Sequence, residues 1–150
     1  MARNDWVTFN EATFDVLNKV HDFDNDEFSV RLITNAGTEP IVTTATPRWA
    51  DFSANECAQG GSYTTGGKVL TGTGIAHAAG VTTFDDTGNV LWTAAASSPE
   101  DIYWAILVNN DASNLECPGY LDMGGPVSMI VDDVSITWNT SGVMTLTRTA

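Results

Sequence analysis

Residues 102–108 read Ile-Tyr-Trp-Ala-Ile-Leu-Val, an unbroken apolar run. In an extended chain Ile102, Trp104, Ile106 and Val108 fall on one side and Tyr103, Ala105 and Leu107 on the other, so neither side can face water without cost. Pro99 upstream, the β-branched and aromatic content, and the polar stop at Asn109-Asn110-Asp111 favour a strand over a helix. The run therefore predicts a central strand packed between two layers.

Upstream, Phe9, Val16, Leu17 and Val20, with Ala12 and Thr13 between them, form one stripe of a short helix. It breaks at the polar, turn-forming residues 22–27, and His21 falls at its end, where the helix dipole would favour an imidazolium. Phe28, Val30 and Leu32 share one face of a strand over residues 28–34. Residues 35–66 show neither period and are punctuated by Pro40, Pro47, Gly60, Gly61 and Gly66. A connection of this size marks a binding loop, here with one helical turn near residues 53–56.

An extended segment resumes at residues 68–71 and is interrupted by Gly72-Thr73-Gly74. Strands follow at 81–84 and 90–93, separated by the turn sequence Asp85-Asp86-Thr87-Gly88, and at 119–123, ended by Gly124-Gly125-Pro126. The C-terminal pattern predicts a hairpin. Val134, Ile136 and Trp138 point inward, Asn139-Thr140-Ser141-Gly142 turns, and residues 143–148 return with Met144 and Leu146 on one face. About seven or eight short strands after one helix, with no βαβ alternation, predict a mainly β fold. The expectation is an antiparallel β-sandwich or jelly-roll-like domain with one short N-terminal helix. It would be a single domain over residues 1–150, with an N-terminal arm and helix at 1–23 and a long loop at 35–66.

Nineteen acidic and six basic residues give a formal charge of −13, which repels phosphate backbones and anionic lipid headgroups. Neither a nucleic acid nor a membrane is expected as a partner. The opening residues lack the apolar stretch of a secretory signal, and no run approaches the roughly 20 apolar residues of a membrane span. Cys57 and Cys117 are therefore expected as separate thiols.

Candidate chemistry is sparse. Asp22-x-Asp24-x-Asp26 has the opening spacing of a calcium loop, but Glu27 stands where the turn needs Gly and Ile33 where a bidentate Glu belongs. His21 and His77 are the only histidines and show no zinc-ligand spacing with either cysteine. Gly61-Ser62-Tyr63 lacks the flanking glycines of a nucleophile elbow, and the paired glycines read as turns. Asp85-Asp86 and Asp132-Asp133 are adjacent on extended chain and so point opposite ways, which argues against paired acid and base work on a sugar. No catalytic residue, metal ligand or cofactor is assigned, and the chain reads as a non-enzyme.

Of the five tryptophans, Trp92, Trp104 and Trp138 follow strand patterns and belong to the core. Trp6 and Trp49 lie in irregular segments, where an indole can anchor a partner. Together with Phe9 and Phe52 they form the expected partner interface.

The helix end Leu17-Asn18-Lys19-Val20-His21-Asp22-Phe23, the strand at 28–34 and Tyr63-Thr64-Thr65-Gly66-Gly67 resemble a family of small virion proteins of tailed bacteriophages. So do the blocks at 103–108, 119–124 and 138–147, which extends the resemblance over nearly the whole chain. The resemblance implies a capsid decoration, or cement, protein: jelly-roll-like, often trimeric, made in the bacterial cytoplasm and seated on the outer capsid. The implied partner is the major capsid protein, at junctions between capsomers. The long segment at 35–66, with Trp49-Ala50-Asp51-Phe52, departs from the shorter versions in that family. An alternative from another class is a tail-associated or carbohydrate-binding sandwich whose exposed aromatics stack on sugars.

Overall fold

The computed structural model describes residues 6–139 and 141–147. In order the elements are β1 (Trp6–Thr8), α1 (Asn10–Leu17), β2 (Phe28–Ile33), α2 (Trp49–Phe52) running into a 3-10 turn (Ser53–Asn55), β3 (Lys68–Val69), β4 (Thr73–Ala78) and β5 (Val81–Asp86). Then come β6 (Val90–Trp92), β7 (Ile102–Asn109), β8 (Gly119–Val127), β9 (Val134–Ile136) and β10 (Met144–Thr147). The protein is mainly β and antiparallel throughout, as the strand pattern predicts. A five-stranded sheet, β1-β8-β7-β2-β3, packs against a three-stranded sheet, β10-β5-β4, and a two-stranded one, β6-β9. No helix of the described residues is long and apolar enough to cross a membrane.

Strand β7 sits in the middle of the large sheet, and both of its faces are covered, as its apolar run requires. On one face Ala105 and Leu107 join Phe28, Val30, Leu32 and Leu121 against Phe84, Trp92, Val134 and Ile136 of the smaller sheets. On the other, Ile106 and Val108 join Ile33 and Tyr120 beneath Phe9, Trp49 and Phe52. The strict alternation fails at one point. A register shift between Ile102 and Trp104 turns Ile102 to the same side as Ala105 and Leu107.

Four other expectations are corrected. Gly124-Gly125-Pro126 does not end β8: Gly124 (φ 77°) and Gly125 (φ 118°) bend the strand, which resumes pairing with β7 at Val127. Gly72 does lie in the bend that separates β3 from β4, but Thr73 and Gly74 open β4 rather than belonging to the interruption. Among the described residues the C-terminal hairpin is absent as a pairing, although Gly142 N–H donates to Asn139 O at 2.8 Å. Strand β9 pairs with β6 and β10 with β5, because burying Val134 and Ile136 beside Val90 and Trp92 takes them to a different sheet from Met144. Residues 140 and 148 of that expected hairpin lie outside the described residues.

The fourth concerns His21, which lies beyond the end of α1 and is buried. Burial pushes its pKa down to about 4, against the pull of Glu116 and Asp26, so the ring is neutral at pH 7 rather than the imidazolium expected at a helix end. Its Nδ1 lies 3.1 Å from Asn109 Nδ2, a donor, which places the ring proton on Nε2, 3.8 Å from Asp15 Oδ2.

A buried phenol helps to tie the long loop to β2. Tyr63 is fully buried; its hydroxyl accepts from Leu32 N–H at 3.1 Å and donates to Glu56 Oε1 at 3.0 Å, which also accepts from Gly66 N–H at 2.6 Å. Burial raises the phenol pKa far above its ordinary value, so it stays a donor. Tyr63→Phe should lower the unfolding free energy by about 1–3 kcal/mol, because Leu32 N–H then has no acceptor there. Urea denaturation with an unchanged slope checks this; a shift of the midpoint within error would contradict it.

Candidate functional site

The small sheet is in register row by row. Ile75 lies opposite Phe84, which lies opposite Met144, and His77, Thr82 and Leu146 form the next row on the same face. Near its base this face is covered by α1, and Phe84 is buried there against Phe23 at 4.6 Å between ring centroids. Farther out the cover ends. Leu17 (84% exposed), Leu146 (57%) and Ile75 (45%) are left around an apolar groove of about 230 Å³ between α1 and the sheet. A shallower hollow toward His77 and Gly80 shares Thr82 and Leu146 with it.

Among the described residues no charged side chain lines the groove, and residues 73–84, which include all of β4, contain no Asp, Glu, Lys or Arg in a chain of formal charge −13. Burying a fully exposed Leu or Ile side chain gains on the order of 1.5–3 kcal/mol, and a partner covering these three would gain a share of that set by their exposure. The arrangement can bind an apolar surface.

The expected interface residues do not come together there. Phe9, Trp49 and Phe52 are buried with Tyr120 in the layer over the outer face of the large sheet, so they are core rather than surface anchors. The reason is the second apolar face of β7, which the segment at 35–66 covers by sending α2 across it. That segment is pinned by Trp49 N–H donating to Leu115 O at 2.9 Å and Cys117 N–H to Pro47 O at 2.8 Å. The Arg31 guanidinium lies over the Trp49 ring, 4.8 Å from its centroid. Trp6 stands apart on β1, half-buried and tilted against Trp138 at 5.3 Å. Beside it a cleft of about 310 Å³ is lined by Thr8, Asn139 and Ser141.

The reactive side chains are tied to structural tasks. Cys57 and Cys117 are free thiols buried in different layers; burial pushes the first up to about 12 and the second upward too, so both stay protonated at neutral pH. Asp86 accepts from Gly72 N–H at 2.8 Å and from the Trp138 indole at 3.0 Å, and Asp133 accepts from Ala94 N–H at 2.8 Å. In the acidic turn, Asp26 accepts from Asp22 N–H at 2.8 Å and from Asn109 Nδ2 at 2.7 Å. Among the described residues, no three His, Cys, Asp or Glu side chains converge to hold a metal ion.

Sequence reasoning missed Leu17, Ile75 and Leu146 as surface residues. The available signal was Ala79-Gly80, a two-residue turn sequence flanked by a long uncharged run. No protein-family model, curated protein or solved structure matches this chain.

Proposed function

We propose that this chain is a capsid decoration protein of a tailed-bacteriophage virion, a non-catalytic β domain that docks on the major capsid protein outside the shell and holds neighbouring capsomers together. The observation that carries the reading is the uncovered apolar groove between α1 and the small sheet, on a chain whose acidity otherwise keeps its copies apart. The sequence resemblance to phage virion proteins supplies the identity of the partner. Binding the assembled lattice and not its loosened state stabilises the lattice by linkage, and repetition over the shell adds avidity to a modest single contact.

The test is sedimentation with bare phage heads. The parent protein should pellet with the heads at a fixed stoichiometry. The double variant Leu17→Asp, Leu146→Asp should bind about 100-fold more weakly or worse, since it replaces two buried apolar contacts by buried charge. Both positions are exposed in the free protein, so its stability should change little. Undiminished decoration by that variant would remove the groove from the reading, and no binding of the parent to any bare head would remove the reading itself.

The cleft beside Trp6 favours a second reading, a carbohydrate-binding virion protein, because an indole with Asn139 and Ser141 alongside suits a sugar ring. Glycan-array binding by a protein with no affinity for bare heads would select it.

A further inference from the structure

The hairpin β4–β5 carries an unprotected edge. Ala79 (φ 50°) and Gly80 (φ 81°) are both left-handed, which makes a two-residue type I′ turn between Ala78 and Val81. Such a turn makes Ala78 and Val81 exchange both main-chain bonds. The alternation of an antiparallel ladder then places Ala76 with Thr83 and Gly74 with Asp85 in the same class. The bond from Thr87 N–H to Gly72 O at 3.0 Å continues that phase. The N–H and C=O groups of Thr73, Ile75 and His77 therefore point away from β5. Strand β4 is the last in its sheet, and none of the described strands pairs with its outer side.

Edge strands are normally guarded by a lysine, a proline, a bulge, shortness or a covering loop. Strand β4 has six residues, an unbroken register with β5, and neither lysine nor proline. On its second face, a Cβ built on Gly74 would meet nothing within 4 Å. The occupant can be argued from charge. A partner drawn by electrostatics would go to the acidic surface, whereas a second copy, itself at −13, can approach closely only where charge is lacking. Strand β4, which has no Asp, Glu, Lys or Arg, is such a place.

We infer that two copies of this chain pair antiparallel through their β4 edges about a two-fold axis at Ile75. In that register Ile75 meets its own counterpart and Thr73 meets the other copy's His77, so each outward residue exchanges a pair of main-chain bonds. The two three-stranded sheets become one continuous sheet. A two-fold axis normal to a sheet keeps like faces together, so the two apolar grooves end on the same side. The closure is two-fold, unlike the trimer that the family resemblance implies. This inference stands apart from the capsid reading, because the edge and the groove are altered by different substitutions.

The experiment is sedimentation equilibrium of the full chain over a hundredfold concentration range, together with amide hydrogen exchange. The parent should move from one chain mass toward two, and the amides of Thr73, Ile75 and His77 should gain protection as it does. His77→Pro and Thr73→Pro each remove an outward N–H while leaving the ladder to β5, and proline is tolerated at such edge positions. Both should stay monomeric with circular dichroism unchanged from the parent. A parent that remains monomeric, a trimer, proline variants that dimerise as the parent does, or rapid exchange at those three amides at every concentration would each overturn the inference. The exchange result stands even if a proline variant fails to fold.

Discussion

Phe52→Ala should lower the unfolding free energy by about 3–5 kcal/mol, the range for removing a large side chain from a packed interior. Phe52 has no exposed surface, and its ring lies near-parallel to that of Phe9 at 6.3 Å between centroids. Phe9 in turn tilts against Tyr120 at 5.0 Å. Truncation leaves a cavity over Ile33, Ile106 and Val108, which the short α2 cannot close by shifting, because Leu115 and Pro47 hold both sides of its entry. Chemical denaturation measures the loss. A change below about 1 kcal/mol would mean that the ring is not packed there and would return Phe52 to the surface.

Acidification should weaken the fold well before most carboxylates titrate. The unfolded chain takes up a proton on His21 near pH 6.5, whereas the folded chain does so only near pH 4, chiefly because burial opposes the charged ring. Between those values the unfolded state binds more protons. Stability is therefore full above pH 6.5 and falls as the pH drops toward 4, by on the order of 3 kcal/mol.

The carboxylates around the ring modify the acid end of this window. Asp15 has its pKa raised by burial, then by Glu11 and Glu116, with Arg48 opposing. It takes up its proton earlier in the folded state than in the unfolded one and offsets part of the loss. At Glu116 burial acts upward but is outweighed by hydrogen bonds from the Asn114 side chain and main chain, with Arg48 adding to them. Its pKa is lowered overall, so it adds a loss of the same sign as His21 at the lowest pH. His21→Gln keeps an acceptor for Asn109 and should flatten the fall between pH 6.5 and 5. Denaturation midpoints at several pH values read both effects, and a parent curve flat over that interval would contradict the burial of His21.

The sequence by itself determined the parts of this protein that rest on local periodicity. The alternation Phe28, Val30, Leu32 settled one face of β2, and the two-sided apolar run at 102–108 settled that β7 is central and needs cover on both sides. The charge of −13 and the scarcity of histidine and cysteine were equally plain. Which segment supplies the second cover was not legible, because Trp49 and Phe52 lie in a stretch with no period, and only the folded chain brings them over Ile106 and Val108. Strand partners were not legible either. Residues 134–138 and 143–147 look like a hairpin along the chain, yet side-chain burial sends β9 to β6 and β10 to β5. The candidate site depends on that exchange, since Leu146 meets Leu17 and Ile75 around one groove only when β10 lies against β5. Period and charge are properties of neighbours along a chain, whereas cover and groove depend on distant segments competing to bury the same faces.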